Sequence, residues 1–182
     1  MRMDSVVRFH EALIRVNVPM RNFSFLKYRI APCFLLFIDV NSAKPISAFL
    51  QELETYQSNH YGYYNRSSLV DAYNNLPIGI KKYLIPDPKR LKNLWRGCDG
   101  LSETRAVSFT QNKGIAHLFG AYVIPFKELE SYEGLIDSER AHKLARRLSL
   151  DFGIGDDEGE VIVIQPKWNS NLESNLRQYF VG

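Results

Sequence analysis

The sequence predicts an α+β fold: a helical N-terminal region over residues 1–90, packed on a strand-rich core over 91–182, as one structural domain. Three observations carry that expectation. Ile46, Phe49, Leu50, Leu53 and Tyr56 recur at helical spacing in the first half. Ile85-Pro86-Asp87-Pro88 is a firm break, because a residue before proline is pushed out of the helical region. Beyond it, short apolar segments alternate with turns, the texture of strands. With 182 residues, 45% of them hydrophobic, the chain has enough apolar surface for one core of ordinary size.

Residues 1–30 mix basic and aromatic side chains without a period and predict no element. Cys33-Phe34-Leu35-Leu36-Phe37-Ile38 is a short buried element whose pattern fits strand and helix equally. Pro45 suits the first turn of the helix that carries the apolar stripe. Residues 58–66 form an aromatic-rich loop. A second helix is expected over 67–72, extending toward Tyr83 with an interruption near Pro77 and Gly79. Strands are expected over 91–96, 105–109, 121–126 and 160–165. A helix over 112–119 lies between the second and third of these. Another, over 138–150, puts Ala141, Leu144, Ala145 and Leu148 on one face and Arg140, Lys143, Arg146 and Arg147 on the other, where they form a solvated basic face.

The formal net charge is +3, but it is unevenly spread. Residues 1–100 carry 14 Lys/Arg against 8 Asp/Glu, and residues 101–182 carry 9 against 12. A basic half without Lys/Arg runs is a weak signal for an anionic partner. The two cysteines, Cys33 and Cys98, have neither zinc-site spacing nor the density of a disulfide framework, so reduced thiols in a cytoplasmic protein are expected. Asp4, Arg8, His10 and Glu11 stand where a signal peptide needs an apolar block, and no run is long enough to span a bilayer. The four histidines share no metal-ligand spacing, and no metal is expected.

Chemistry-bearing residues cluster in three short motifs. Leu94-Trp95-Arg96-Gly97 is an apolar strand end closing on an arginine. Val107-Ser108-Phe109-Thr110 is a strand end with hydroxyls at i and i+2. Glu158-Gly159-Glu160 opens the apolar run Val161-Ile162-Val163-Ile164. Two carboxylates at i and i+2 on a strand share a face, close enough to influence each other's ionisation. Taken alone, the stretch from Asp156 to Glu160 reads as a solvated acidic turn.

In this order, with Ala116 and Phe119 on the helix after the second motif, the three motifs resemble the arginine–serine–glutamate class of mono-ADP-ribosyltransferases, most closely the small bacteriophage enzymes. The resemblance spans residues 91–164 and matches residues 1–90 only in general character. It implies a split β-sandwich core and NAD as substrate. Glu160 would stabilise the cationic ribose of the transition state, and Arg96 would hold the pyrophosphate. Gly97 would meet the nicotinamide amide, Ser108 would orient Glu160, and Thr110 would support the same strand end. Glu158 would engage an arginine side chain of an acceptor protein, which for a phage enzyme is a host protein. The glycine-bearing segment Phe152-Gly153-Ile154-Gly155-Asp156-Asp157 sits where the family has its acceptor-recognition loop. Phe119, Tyr122 and Phe126 are candidates to stack on nicotinamide, although each also suits the core. Phe109 departs from the family's second motif, which has a small or hydroxyl residue there; strand alternation sends it to the face opposite Ser108 and Thr110.

Two other readings compete. An NAD glycohydrolase of the same fold would use water as acceptor. A binding module for nucleic acid or protein would use the basic half with Tyr56, Tyr61, Tyr63 and Tyr64, though no RNA- or DNA-binding motif accompanies these tyrosines. The acidic stretch 151–160 lacks the ligand register of a calcium loop.

Overall fold

A computed structural model describes residues 40–58, 66–101, 105–150 and 159–181. It is a mixed α+β architecture in which N-terminal helices precede small antiparallel sheets. The element expected at residues 33–38 lies outside the described residues, as do Tyr61, Tyr63 and Tyr64.

Helix α1 (Val40–Ser58) starts five residues earlier than Pro45 suggests, so the proline falls inside it. Its stripe is the expected one: Ile46, Phe49, Leu50, Leu53 and Tyr56 are all buried. Helix α2 (Arg66–Asn74) buries Leu69, Val70 and Tyr73; Pro77 then separates it from α3 (Ile78–Leu84). The segment expected as a strand at 91–96 divides. Asp87 accepts a hydrogen bond from Lys89 N at 2.8 Å and Pro88 supplies the first helical position, so a short helix α4 (Pro88–Leu91) forms first. Strand β1 (Trp95–Cys98) begins only where it pairs with β3 (Tyr122–Pro125), with Arg96 opposite Ile124 and Gly97 opposite Val123.

A three-stranded antiparallel sheet follows the order β2–β6–β5. Strand β2 (Ala106–Phe109) pairs Ser108 with Ile162 and Phe109 with Val161 of β6 (Val161–Ile164). Strand β5 (Gly134–Asp137) flanks β6 on its other side, with Asp137 also opposite Val161. Between β3 and β5 lies β4 (Leu129–Ser131), paired with β7 (Lys167–Trp168). A single bridge between Trp95 and Thr110 ties β1–β3 to the three-stranded sheet, with both N–O distances at 2.8 Å.

The three-stranded sheet is covered on both faces, and all four residues of β6 are 0% exposed. That explains an apolar run without alternation. Ala106, Ile136, Ile162 and Ile164 meet α1, α2, α3 and the helix after β5. Val107, Phe109, Leu135, Val161 and Val163 meet Leu94, Phe126 and Trp168 on the other side. Phe109 is therefore core, edge-to-face with Phe126 at 5.4 Å between ring centres. A third cluster, Cys98, Ile124 and Leu172, lies beside β1–β3 under the C-terminal helix.

Helix α5 (Lys113–His117) packs on β1 through Gly97. A Cβ at Gly97 would stand 1.7 Å from the Ala116 carbonyl oxygen, a backbone atom that cannot swing aside. Gly97→Ala is therefore expected to cost stability at the upper end of the ~1–3 kcal/mol typical of overpacking, read as a lower midpoint in urea unfolding.

Helix α6 (Ser138–Arg147) buries Ala141, Leu144 and Ala145 and exposes Lys143, Arg146 and Arg147, as its sequence pattern requires. Its cap, Asp137, is 1% exposed and pairs with Arg90 of α4 at 2.6 Å. Arg140 approaches the same carboxylate at 3.8 Å and also donates to the Tyr83 carbonyl at 3.0 Å. This ionic knot ties α3, α4, β5 and α6 together.

Candidate functional site

Arg96, Ser108 and Glu160 come together at the ends of β1, β2 and β6, under the last turn of α1. Ser108 Oγ is 2.9 Å from Tyr56 Oη, and Arg96 Nη1 donates to the Ser108 carbonyl at 3.3 Å. Glu160 stands one residue before β6. Its carbonyl accepts from Ser138 N at 3.1 Å, which extends the β5–β6 pairing by one step. Its carboxylate Oε2 accepts from Ser138 Oγ at 3.0 Å and from Gln57 Nε2. Gln57 Nε2 also donates to Ser138 Oγ at 3.1 Å.

The expected Ser108–Glu160 hydrogen bond is absent. Ser108 is opposite Ile162, so Glu160 lies two residues further along β6 and on a diagonal from it. Diagonal neighbours stand ~7–8 Å apart, so the two meet only if the glutamate side chain reaches across, and here it turns to Gln57 and Ser138 instead. Tyr56 and Gln57, adjacent on α1, fill the gap: one takes the serine, the other the carboxylate.

Electrostatics links the same groups. Burial pushes the Tyr56 phenol above its usual range and the nearby Glu160 charge pushes it further; Ser108, Arg96 and Arg66 oppose. Tyr56 is thus a neutral hydroxyl at any physiological pH. Burial lowers the Arg96 guanidinium, with Tyr56 and Cys98 opposing and Arg66 adding to the depression. With a second guanidinium nearby and, among the described residues, no carboxylate paired to Arg96, this is an environment that an anion would stabilise.

The other candidates take different places. Gly97 turns its open side to the Ala116 carbonyl, so the helix occupies the space expected for a ligand's amide. Thr110 is buried; its backbone forms the inter-sheet bridge and its Oγ1 accepts from Asn112 N at 3.1 Å, starting α5. Phe119, at the end of α5, is 41% exposed, whereas Tyr122 packs on Phe180 and Phe126 on Phe109 and Tyr132. Glu158 and the 152–157 segment lie outside the described residues. Gly159 adopts φ +58, a left-handed conformation, so the strand period invoked to place Glu158 and Glu160 on one face stops at Val161.

Sequence reasoning missed Gln57, Ser138 and Arg66, and it named Tyr56 only in the apolar stripe and as a stacking candidate of the binding-module reading. Gln57 follows Tyr56 with no signal of its own. Ser138 reads only as a helix start. Among the described residues no group of three or more His, Cys, Asp or Glu could hold a metal, and no helix is long and apolar enough to cross a membrane. A groove of about 720 Å³ lined by Trp95, Lys113, Phe126, Lys127 and Tyr179 opens elsewhere on β1–β3. Trp95 and Arg96 point to opposite faces of β1, so this groove is separate from the cluster.

No protein-family model, curated protein or solved structure matches the chain.

Proposed function

We propose that the protein is an NAD-dependent mono-ADP-ribosyltransferase that modifies an arginine side chain of a protein, on a core of the split β-sandwich type. The observation that supports this reading is the convergence of Arg96, Ser108 and Glu160, three residues spread over 65 positions, on Tyr56. The chemistry fits their types. As the bond between nicotinamide and C1′ of the ribose breaks, its electron pair leaves with nicotinamide and positive charge develops on the sugar. Glu160 stabilises that charge most in the transition state, where it is largest. Arg96, with Arg66 adding to the local field, holds the pyrophosphate. A guanidino nitrogen of the acceptor then bonds to C1′ and gives up a proton, the step in which Glu158 serves as base. With water in its place the products are ADP-ribose, nicotinamide and a proton.

The test is to incubate the protein with NAD labelled on the adenosine, once with a small guanidine acceptor such as agmatine and once with cell lysate. Nicotinamide release with label on the acceptor is expected. Release without label supports the hydrolase variant of the reading. No NAD consumption and no labelling under either condition overturns both.

A further inference from the structure

We infer that Gln57 is the positioning residue for the Glu160 carboxylate, and that helix α1 rather than Ser108 sets the geometry of the acid; this rests on the proposed NAD chemistry. Oε2 of Glu160 receives the Gln57 amide and the Ser138 hydroxyl, whereas among the described residues Oε1 receives no hydrogen bond. The carboxylate is therefore divided: Oε2 is anchored and Oε1 is presented. The proton count closes. The two amide hydrogens of Gln57 go to Ser138 Oγ and Glu160 Oε2, and the single Ser138 hydroxyl hydrogen goes to Oε2. Turning the amide over would set its oxygen against that carboxylate, so only one orientation satisfies the triangle.

A second observation points the same way. Gln57 is 4% exposed, and among the described residues its buried Oε1 has no hydrogen-bond partner. A glutamine chosen for stability alone would not bury an orphan acceptor when a leucine fits the same volume. What the amide gains in this place is the pair of bonds that its Nε2 donates. Ser138, 2% exposed, holds the other side, so the clamp is built from buried groups on α1 and at the start of α6.

Three variants test the clamp. Gln57→Leu keeps the volume and removes the donors. It is expected to lower kcat for NAD cleavage by on the order of 10²-fold, the usual effect of a misplaced reacting group, with little change in KM. Gln57→Glu sets two carboxylates face to face. Its activity relative to wild type is expected to be lowest at pH 8 and to climb as the pH falls toward 5, where a shared proton restores a donor. A merely structural role gives a loss independent of pH. The exchange Gln57→Glu/Glu160→Gln restores an amide–carboxylate pair, so its melting temperature should recover above that of Gln57→Glu alone while NAD cleavage stays absent. Full kcat in a folded Gln57→Leu, or an exchange variant no more stable than Gln57→Glu, overturns the inference. Wild type inert toward NAD overturns the catalytic reading instead, and the melting comparison still judges the clamp.

Discussion

Glu160→Gln is expected to reduce NAD cleavage by on the order of 10²–10³-fold while leaving the fold intact. The amide keeps the shape of the carboxylate, and its oxygen can still accept from Gln57 and Ser138 in place of Oε2. What disappears is the negative charge beside the ribose. Deleting one electrostatic contact made mainly in the transition state costs ~2.7–4 kcal/mol of barrier, which is that range of rate. The loss should fall on kcat, with KM for NAD nearly unchanged, because Arg96 still binds the ground state. Glu158→Gln should behave differently, keeping cleavage and losing transfer to a guanidine acceptor. Nicotinamide release and label transfer, measured side by side, separate the two carboxylates. A Glu160→Gln protein that retains most of its cleavage activity would remove this residue from the mechanism.

Asp137→Ala should carry the largest penalty in stability. The carboxylate is 1% exposed, pairs with Arg90 at 2.6 Å, and accepts from Arg140 N at 3.3 Å as the cap of α6. Removing one partner of a buried pair costs ~3–5 kcal/mol, because the remaining charge loses its compensation. Arg90 is 17% exposed and keeps Glu139 at 3.5 Å, so part of that is recovered and the lower end of the range applies. Losing the cap adds ~1 kcal/mol. Together these lower the melting temperature by roughly 8–16 °C for a chain of this size. The double variant Arg90→Leu/Asp137→Ala should regain part of the loss, since it removes the more buried of the two cations that face Asp137. Urea unfolding of the two single variants and the double variant gives the coupling energy directly. Simple additivity would mean that the pair contributes nothing as a pair.

The legible part of the fold is the part governed by local pattern. The stripe of α1, the break before α4, the strands β2, β3 and β6 and the two faces of α6 all follow from period and punctuation. Strand β5 was not legible: Gly134-Leu135-Ile136-Asp137 is four residues long, buried throughout and without alternation. The start of β1 was misplaced because Leu91 completes the short helix that Asp87 and Pro88 begin. In the candidate site, the motifs name Arg96, Ser108 and Glu160, which the structure gathers around Tyr56. Motif order carries no information on strand register, however, and register decides that Ser108 meets Tyr56 instead of Glu160. Nor does any local signal distinguish Gln57 from an ordinary helix-end residue, since its partner is 103 positions away. The left-handed turn at Gly159 was readable as a glycine but not as a conformation.

The place of β6 between β2 and β5 has a consequence for biosynthesis. Both outer strands precede it in the chain, and neither pairs with the other. A nascent chain that ends before Val161 holds two strands with nothing between them, and its helices have no completed sheet to cover. Glu160 arrives with that same strand. The carboxylate proposed to act on NAD and the keystone of the sheet thus enter the fold together, so the step that closes the core also completes the proposed site.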